Sequence, residues 1–237
     1  MSGMPLPTAT EIATRAATVR AELDAAAERA GRDPRAVRIV AITKTWPVEV
    51  CRAALDAGMP ALGENRVQEA LPKVAALPGV EWHLVGHLQS NKARAAVAAF
   101  AWIHAVDSPG LLRRLDREAH EADRRPGLLL QVNVTGEPQK HGLAPAALED
   151  AELLSAVAEL REARLLGLMT IAARDGEPRP AFARLRALRD ALEQRAGIGL
   201  PELSMGMSDD AAVAVEEGAT LVRIGTAIFG RRETAGG

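Results

Sequence analysis

The chain has 237 residues, is 48% hydrophobic and 25% charged, and carries a net charge of −2 at pH 7. This is the balance of a globular protein with a sizeable core, and it argues against a nucleic-acid or acidic-membrane partner. The single cysteine, Cys51, excludes an internal disulfide and a multi-cysteine metal site. It fits a reducing cytoplasm, and no signal peptide or membrane-length apolar stretch contradicts that location.

The first predicted element is an alanine-rich helix at the N-terminus. Thr8 and Glu11 have the spacing of a capping box, in which each side chain bonds the backbone of the other. Helical spacing continues to about Ala30, and Gly31 is placed to end the helix. We therefore expect a helix over residues 8–30.

Short apolar runs then alternate with stretches that are rich in Ala, Leu, Glu and Arg at helical spacing. The runs are Val37–Thr43, Pro60–Leu62, Trp82–Val85, Trp102–Val106, Leu128–Val134, Leu165–Thr170, Glu202–Met205 and Thr220–Ile224. The stretches between them include Val48–Ala57, Asn91–Ala99, Leu111–Glu121 and Ala181–Arg195. Eight strand–helix units predict an α/β fold, a single (β/α)8 TIM-type barrel over residues 36–233 in one domain of residues 1–237. A doubly wound open sheet is the alternative.

Polar and glycine-rich residues follow each predicted strand. Lys44 follows the first strand and Asn65 the second. In a barrel all such positions lie at the carboxyl-terminal mouth, where this fold carries its chemistry. The second cluster, GENRVQEALPK, also reads as a helix start with a solvated face, except for Asn65 near the mouth.

The loops after the last two strands have the composition of a phosphate site. Gly206 has no Cβ, which lets the backbone N–H groups approach an anion, and Ser204 and Ser208 supply hydroxyls. Gly225 and Thr226 are placed to open the last helix, whose first N–H groups attract an anion. The alternative is that these hydroxyls only cap helices.

Arg223 stands inside the apolar run of the last strand and shares a face with Gly225. An unpaired buried arginine is costly, so Arg223 must meet an acceptor. The two candidates are a structural ion pair in the barrel interior and a ligand's ring nitrogen or acid group.

Lys44 ends the first apolar run. If Lys44 points into the barrel, so do Val40 and Ile42, and such surroundings favour the neutral amine that attacks a carbonyl to form a Schiff base. Considered by itself, Lys44 indicates only a solvated residue at the end of a strand. Together with a phosphate site and a buried arginine, it matches pyridoxal 5'-phosphate (PLP), which has an aldehyde, a phosphate and a ring nitrogen.

Eight blocks, in order over nearly the whole chain, resemble those of the pyridoxal phosphate homeostasis protein family, once called the proline synthetase co-transcribed type. The blocks are VAITKTWP, GENRVQEALPKV, WHLVGHLQSNKAR, VDS, QVNVTGEPQKHGL, GLMTIA, LSMGMSDD and VRIGTAIFGRR. The resemblance implies the PLP fold type III barrel of alanine racemase without its second domain. The chain departs from the family pattern at Thr43 and Trp46, where serine and a second lysine are more usual.

The resemblance also implies roles for particular residues. Lys44 would form the internal aldimine, Arg223 would face the pyridine nitrogen, and Asn65 would line the cofactor pocket. The residues expected at the phosphate are Ser204, Gly225 and Thr226. We expect no metal site, because His83 and His87 lie on a strand and a turn rather than on one helix face.

The residues favour a cofactor carrier over an enzyme. Strong PLP catalysts pair the ring nitrogen with an acid, whereas arginine stays charged and only donates. A racemase of this fold also uses a tyrosine as its second base, and the chain has no tyrosine. His83, His87, His141 or Cys51 could replace it in principle, and nothing in the sequence singles one out.

We therefore expect a monomeric protein that stores and delivers PLP and limits the free aldehyde, with PLP-dependent apoenzymes as recipients and no catalytic residue. The alternative is a PLP-dependent amino-acid racemase or a related PLP enzyme. A third class is a phosphate-binding barrel enzyme that does not use PLP.

Overall fold

The computed structural model describes residues 5–173 and 175–231. The strands are β1 (Arg38–Ile42), β2 (Ala61–Glu64), β3 (Glu81–Leu84), β4 (Trp102–Val106), β5 (Gly127–Gln131), β6 (Arg164–Met169), β7 (Glu202–Ser204) and β8 (Leu221–Ile224). All pair in parallel and in chain order. β8 also pairs with β1, with Val40 opposite Arg223, and this closes the barrel. The predicted (β/α)8 fold is therefore confirmed, and the open sheet is excluded.

Helices follow the strands around the barrel. They are α1 (Ala9–Arg29), α2 (Val48–Asp56), α3 (Val67–Ala76), α4 (Ala93–Ala99), α5 (Pro109–Glu121), α6 (Ala151–Ala158), α7 (Arg179–Ala196), α8 (Ala211–Glu216) and α9 (Thr226–Phe229). Short 3₁₀ turns cover Pro34–Ala36, Ser90–Lys92 and Pro145–Glu149. No helix among the described residues is long and apolar enough to cross a bilayer.

The N-terminal helix α1 begins as the capping-box pattern predicts. Glu11 N donates to Thr8 Oγ1, and Thr8 N donates to the Glu11 carboxylate. Its buried side chains recur every three or four residues, which is the spacing of one helix face. These residues are Ile12, Ala16, Val19, Leu23, Ala26 and Ala27. α1 packs this face against α2, α8 and α9.

The core has two parts, as a barrel requires. A large cluster lies between the strands and the surrounding helices. A smaller one fills the barrel interior and consists of Val40, Ile42, Val85, Ala105, Leu129, Met169 and Leu221. Val40 and Ile42 thus point inward, as predicted, and form the apolar floor below the strand ends.

Strand β5 ends three residues earlier than predicted. Beyond Gln131 the chain leaves the sheet, and Val132 forms an isolated bridge with Leu143. Asn133 Nδ2 then donates to the Glu137 carbonyl at 2.9 Å. The apolar residues Val132 and Val134 are buried under this loop rather than in the barrel sheet. Because they extend the apolar run of β5, the sequence predicts that the strand continues through them.

Candidate functional site

A cavity of about 480 Å³ opens at the carboxyl ends of the strands. Five of the six predicted site residues line it, and they come from the ends of β1, β2 and β8. These residues are Lys44, Asn65, Arg223, Gly225 and Thr226. The barrel thus brings together residues that lie up to about 180 positions apart in the sequence, as expected for residues that follow its parallel strands.

Lys44 lies in the turn after β1 and points its side chain toward the cavity. The side chain is exposed, in contrast to the desolvated environment expected for a lysine that points into the barrel. The reason is that β1 ends at Ile42, so Lys44 sits above the apolar interior rather than within it. Within the described ranges no acceptor pairs with Lys44 Nζ, so the amine is available to a ligand.

The residue before Lys44 is anchored by a buried ion pair. Lys73 Nζ donates to Glu64 Oε1 at 2.7 Å and to the Thr43 carbonyl at 2.9 Å, and Thr43 Oγ1 donates to the same Glu64 oxygen at 2.7 Å. Thr43 and Glu64 are fully buried, and Lys73 is 8% exposed. Lys73 therefore does not belong to a solvated helix face, which corrects the interpretation of GENRVQEALPK. Sequence spacing missed it because the partners of Lys73 lie on β2 and after β1.

Arg223 is buried and held at two points. Its Nη1 donates to Ser204 Oγ at 2.7 Å, and its Nη2 donates to the Thr170 carbonyl at 2.8 Å. Burial lowers the pKa of Arg223 to about 10, and Asp210 partly opposes this shift. Since that pKa remains far above neutrality, the guanidinium is a fixed cationic donor at the cavity floor. Its direct partners are a hydroxyl and a carbonyl rather than the carboxylate of an ion pair.

Ser204 departs from its predicted place. It is fully buried at the end of β7 and is not among the residues that line the cavity. Its hydroxyl contacts Arg223 Nη1 and lies 2.9 Å from His104 Nδ1. Strand alternation turns the Ser204 side chain into the barrel, below the mouth. Ser208, four residues later in the same loop, lines the cavity instead.

The loops after β7 and β8 meet at one side of the cavity. Ser208 Oγ accepts a bond from Ala227 N at 3.3 Å, so one loop caps the short helix that follows the other. Arg223 N donates to the Gly206 carbonyl at 3.0 Å. The capping interpretation therefore holds for Ser208, while its position beside Gly225 and Thr226 keeps the hydroxyl next to the cavity.

Asn65 lines the cavity, and its backbone packs closely against the segment after β3. A Cβ on Gly86 would lie 2.2 Å from the Asn65 carbonyl oxygen, so the segment after β3 can pack there only with glycine. The chain continues into His87, whose Nδ1 lies 3.1 Å from Asp107 Oδ2.

The cavity lining also includes two stacked imidazoles. The rings of His87 and His141 lie 4.0 Å apart at 11°. Ligand atoms from His87, Asp107 and His141 come within 4.8 Å of one another. Two imidazoles and a carboxylate are the donors that Zn²⁺ prefers, so these residues could hold a metal. The sequence predicts no metal site, because His83 and His87 lie on a strand and a turn rather than on one helix face. His87, Asp107 and His141 follow three different strands, so their proximity appears only in the closed barrel.

The loop after β5 forms the outer wall of the cavity, and Gln139, Lys140 and His141 line it. Gln131 Nε2 donates to the His141 carbonyl at 2.9 Å, which fixes the loop to the strand end. Lys140 Nζ contacts the Glu137 carboxylate and donates to the Ala172 carbonyl at 3.0 Å. The second lysine of the cavity is thus already engaged, in contrast to Lys44.

These groups fit the three reactive parts of a pyridoxal phosphate. Lys44 supplies an available amine, Arg223 supplies a fixed donor, and the helix start at Thr226 with Ser208 supplies N–H and hydroxyl groups. The fit rests on the location of these groups at separate parts of one cavity. Lys44 follows β1, Arg223 and Thr226 lie on and after β8, and Ser208 lies in the loop after β7. Fold and site together define a ligand-binding (β/α)8 barrel with a lysine at the end of its first strand.

The comparisons with known proteins agree with that class. The family model for the alanine racemase N-terminal domain matches residues 15–233. A pyridoxal phosphate homeostasis protein from Aquifex aeolicus is 42% identical over 92% of this chain and 97% of the relative. One from Escherichia coli K12 is 40% identical over 94% of this chain and 97% of the relative. The chain belongs to the pyridoxal phosphate homeostasis protein family, as its sequence blocks indicate.

Solved structures give the same picture. PipY from Synechococcus elongatus, in a structure with PLP bound, is 43% identical, has a TM-score of 0.81, and is matched over 92% of this chain and 100% of PipY. Alanine racemase from Clostridium difficile has a TM-score of 0.68 at 14% identity and is matched over 84% of this chain and 53% of that chain. This second likeness shows the fold alone.

Proposed function

We propose that this protein binds PLP covalently through Lys44 and acts in PLP homeostasis, by storing and delivering the cofactor, without robust catalysis. The observation that carries the proposal is the available Lys44 amine in a cavity whose floor holds Arg223. The curated relatives are named for PLP homeostasis, and PipY has been solved with PLP bound.

Each residue has a definite task in this proposal. Lys44 attaches the aldehyde carbon, and Arg223 donates to the ring nitrogen. Gly225 and Thr226 bind the phosphate with the backbone N–H groups that open α9, and Ser208 adds a hydroxyl to this set. Asn65 forms the side wall. Ser204 acts from below by holding Arg223 rather than by contacting the phosphate.

The donor beneath the ring limits catalysis. Bound PLP acts as an electron sink when its ring nitrogen is protonated. Arg223 donates a hydrogen bond and keeps its own proton, so it does not create that state. This supports a carrier whose site holds the cofactor and promotes little turnover.

The second candidate function is an amino-acid racemase. The observation that favours it is the His87–His141 pair, which puts two imidazoles in the same cavity as Lys44. Incubation of the PLP-loaded protein with L-amino acids and measurement of the D-isomers separates the two functions. Sustained formation of D-isomers would exclude the carrier proposal, and the loss of that activity in His141→Ala would name the second base.

Replacement of Lys44 tests the attachment. The unmodified protein with PLP is expected to show a visible absorption band, and borohydride treatment is expected to fix the cofactor to the peptide that contains Lys44. Lys44→Ala is expected to lose both the band and the mass increase, because the cavity's other lysine, Lys140, is held by Glu137 and by a carbonyl. The measurements are absorption spectra and peptide mass spectrometry.

Lys92→Ala is the matched control, because Lys92 also follows a barrel strand, β3, but does not line the cavity. It is expected to behave as the unmodified protein does. If the unmodified protein takes up no PLP, both PLP functions fail, and a phosphate-binding barrel enzyme remains.

The partners and the assembly state belong to the same proposal. A monomeric cytoplasmic carrier should run at about the chain mass of 25.1 kDa in light scattering coupled to gel filtration. The PLP-loaded carrier should also restore the activity of a PLP-dependent apoenzyme faster than free PLP does, when that free PLP is supplied at the concentration in equilibrium with the carrier. Equal rates with the carrier and with that free PLP would argue against direct delivery.

A further inference from the structure

A line of polar side chains crosses the barrel interior from Arg223 to the opposite end. Arg223 Nη1 lies 2.7 Å from Ser204 Oγ, which lies 2.9 Å from His104 Nδ1. His104 Nε2 lies 2.9 Å from His83 Nδ1, and His83 Nε2 lies 2.9 Å from Glu81 Oε1. Four successive contacts thus join a cation at the cavity floor to a carboxylate at the amino end of β3.

The middle of this line is completely enclosed. Ser204, His104 and His83 have no exposed surface, and Arg223 is 4% exposed. The His83 ring also stacks on Trp102, with centroids 5.6 Å apart and planes at 2°. At the far end, Glu81 reaches solvent, with its side chain 41% exposed. Buried polar groups persist when each has a partner, and here every imidazole nitrogen has one.

The two ends determine the direction of every hydrogen bond. A carboxylate only accepts, so His83 Nε2 carries the proton that points to Glu81, and in the neutral ring His83 Nδ1 is an acceptor. His104 Nε2 must then carry the next proton, which leaves His104 Nδ1 to accept from the Ser204 hydroxyl. Ser204 Oγ in turn accepts from Arg223, which only donates. Each proton is used once, and both histidines are Nε2–H tautomers.

The charge states agree with this direction. Burial lowers the pKa of His83 and lowers that of His104 well below its ordinary value, so both rings are neutral at pH 7. The hydrogen bond from His83 lowers the pKa of Glu81, which keeps its carboxylate ionised.

We propose that His83 and His104 are positioning residues that hold Arg223 as an oriented donor to the cofactor, through a one-way hydrogen-bond chain whose proton order is set by Glu81 at the far end of the barrel. The proposal rests on the proposed function for the part that concerns PLP. Ser204 and the Thr170 carbonyl engage different nitrogens of the guanidinium, so these two contacts fix its plane, and Arg223 also lines the cavity.

Histidine NMR on the cofactor-free protein tests the chain itself. Two-bond ¹H–¹⁵N spectra of ¹⁵N-histidine-labelled protein are expected to show both buried rings as neutral Nε2–H tautomers at pH 7. Glu81→Ala removes the terminal acceptor, so the tautomers of His83 and His104 are expected to become mixed. Glu81→Gln keeps an acceptor oxygen and is expected to restore the pattern. A protonated ring or an Nδ1–H tautomer in the unmodified protein would overturn the chain.

PLP binding then tests the positioning role. Glu81→Ala is expected to weaken PLP binding about fivefold, the equivalent of one net hydrogen bond, and to alter the pH dependence of the bound-cofactor absorption. Glu202→Ala is the matched control, because Glu202 pairs with Arg38 at 2.8 Å, as Glu81 does at 3.7 Å, but makes no hydrogen bond to His83. It is expected to bind PLP as the unmodified protein does.

The outcomes separate the two proposals. If Glu81→Ala mixes the tautomers but leaves PLP affinity and the pH profile unchanged, the positioning role is wrong. The same holds if Glu202→Ala has an equal effect. If the unmodified protein binds no PLP, the proposed function fails and the role toward PLP fails with it, while the NMR result still decides whether the chain exists.

Discussion

Gly206 has a φ of +91°, and a Cβ at this position would lie 2.6 Å from Ala214 Cβ and 3.0 Å from Ala211 Cα. Two requirements therefore meet at one residue. The backbone adopts a conformation that favours glycine, and helix α8 packs directly against the loop after β7. The composition of this loop predicts that Gly206 serves the approach of an anion, whereas the structure shows that packing alone already demands glycine here.

Gly206→Ala is expected to lower the free energy of unfolding by about 3 kcal/mol, from roughly 1 kcal/mol of backbone strain and about 2 kcal/mol of overpacking. Urea denaturation measures this change. Gly197→Ala is the matched control, since Gly197 has a φ of +67° but no atom within 4 Å of the added Cβ. It should cost only about 1 kcal/mol. Equal losses at the two positions would show that the contact with α8 does not matter.

At the scale of elements, the ion pair of Lys73 on α3 with Glu64 at the end of β2 ties a helix to two strands. The Glu64 side chain is 0% exposed and that of Lys73 10%. Since the same ammonium bonds the Thr43 carbonyl, α3 also fixes the backbone from which Lys44 projects. The pair thus links packing of the outer helix layer to the position of the proposed cofactor lysine.

Lys73→Met is expected to destabilise the protein by about 3 kcal/mol, because it leaves the Glu64 carboxylate buried without its cation. Arg66→Met serves as the control, since Arg66 pairs with Glu69 on the surface with its side chain 75% exposed, and such pairs contribute about 0.5 kcal/mol or less. Chemical denaturation of both variants measures the difference. Similar small losses would mean that water reaches Glu64 and replaces the ammonium.

At the scale of the whole molecule, the barrel interior contains two neutral imidazoles, and this links stability to pH. Burial lowers the pKa of His83 and His104 in the folded protein. The unfolded chain therefore binds more protons once the pH falls through about 6.5. The stability that these groups contribute is present in full above that pH and is lost as the pH falls below it.

Denaturant unfolding between pH 8 and pH 5 is expected to show this loss, with a slope of up to about 1.4 kcal/mol per pH unit for each buried ring. His104→Gln removes one of the two rings and should make the slope shallower by up to that amount. His120→Gln is the control, because the His120 side chain is 78% exposed, and it should leave the slope unchanged. An unaltered slope in His104→Gln would contradict a neutral buried His104.

Local patterns in the sequence were enough for the fold and for part of the site. Alternating strand and helix segments predict a closed parallel barrel, and the capping box at Thr8 predicts the start of α1. Because every parallel strand of a barrel ends at the same mouth, the position of Lys44, Gly225 and Thr226 around one cavity followed from their place after a strand. These features depend on periodicity and on the order of the elements, and both can be recognised from residues that are close together in the sequence.

Only the tertiary structure decided which polar side chains meet. It placed Ser204 under Arg223 and Ser208 at the cavity, and it buried Lys73 against Glu64. The His104–Ser204 contact joins residues 100 positions apart, and no local pattern encodes it. The alternation of residues along a strand determines on which face of the sheet a side chain lies. Its depth in the barrel and its partners across the interior depend on how all eight strands close together.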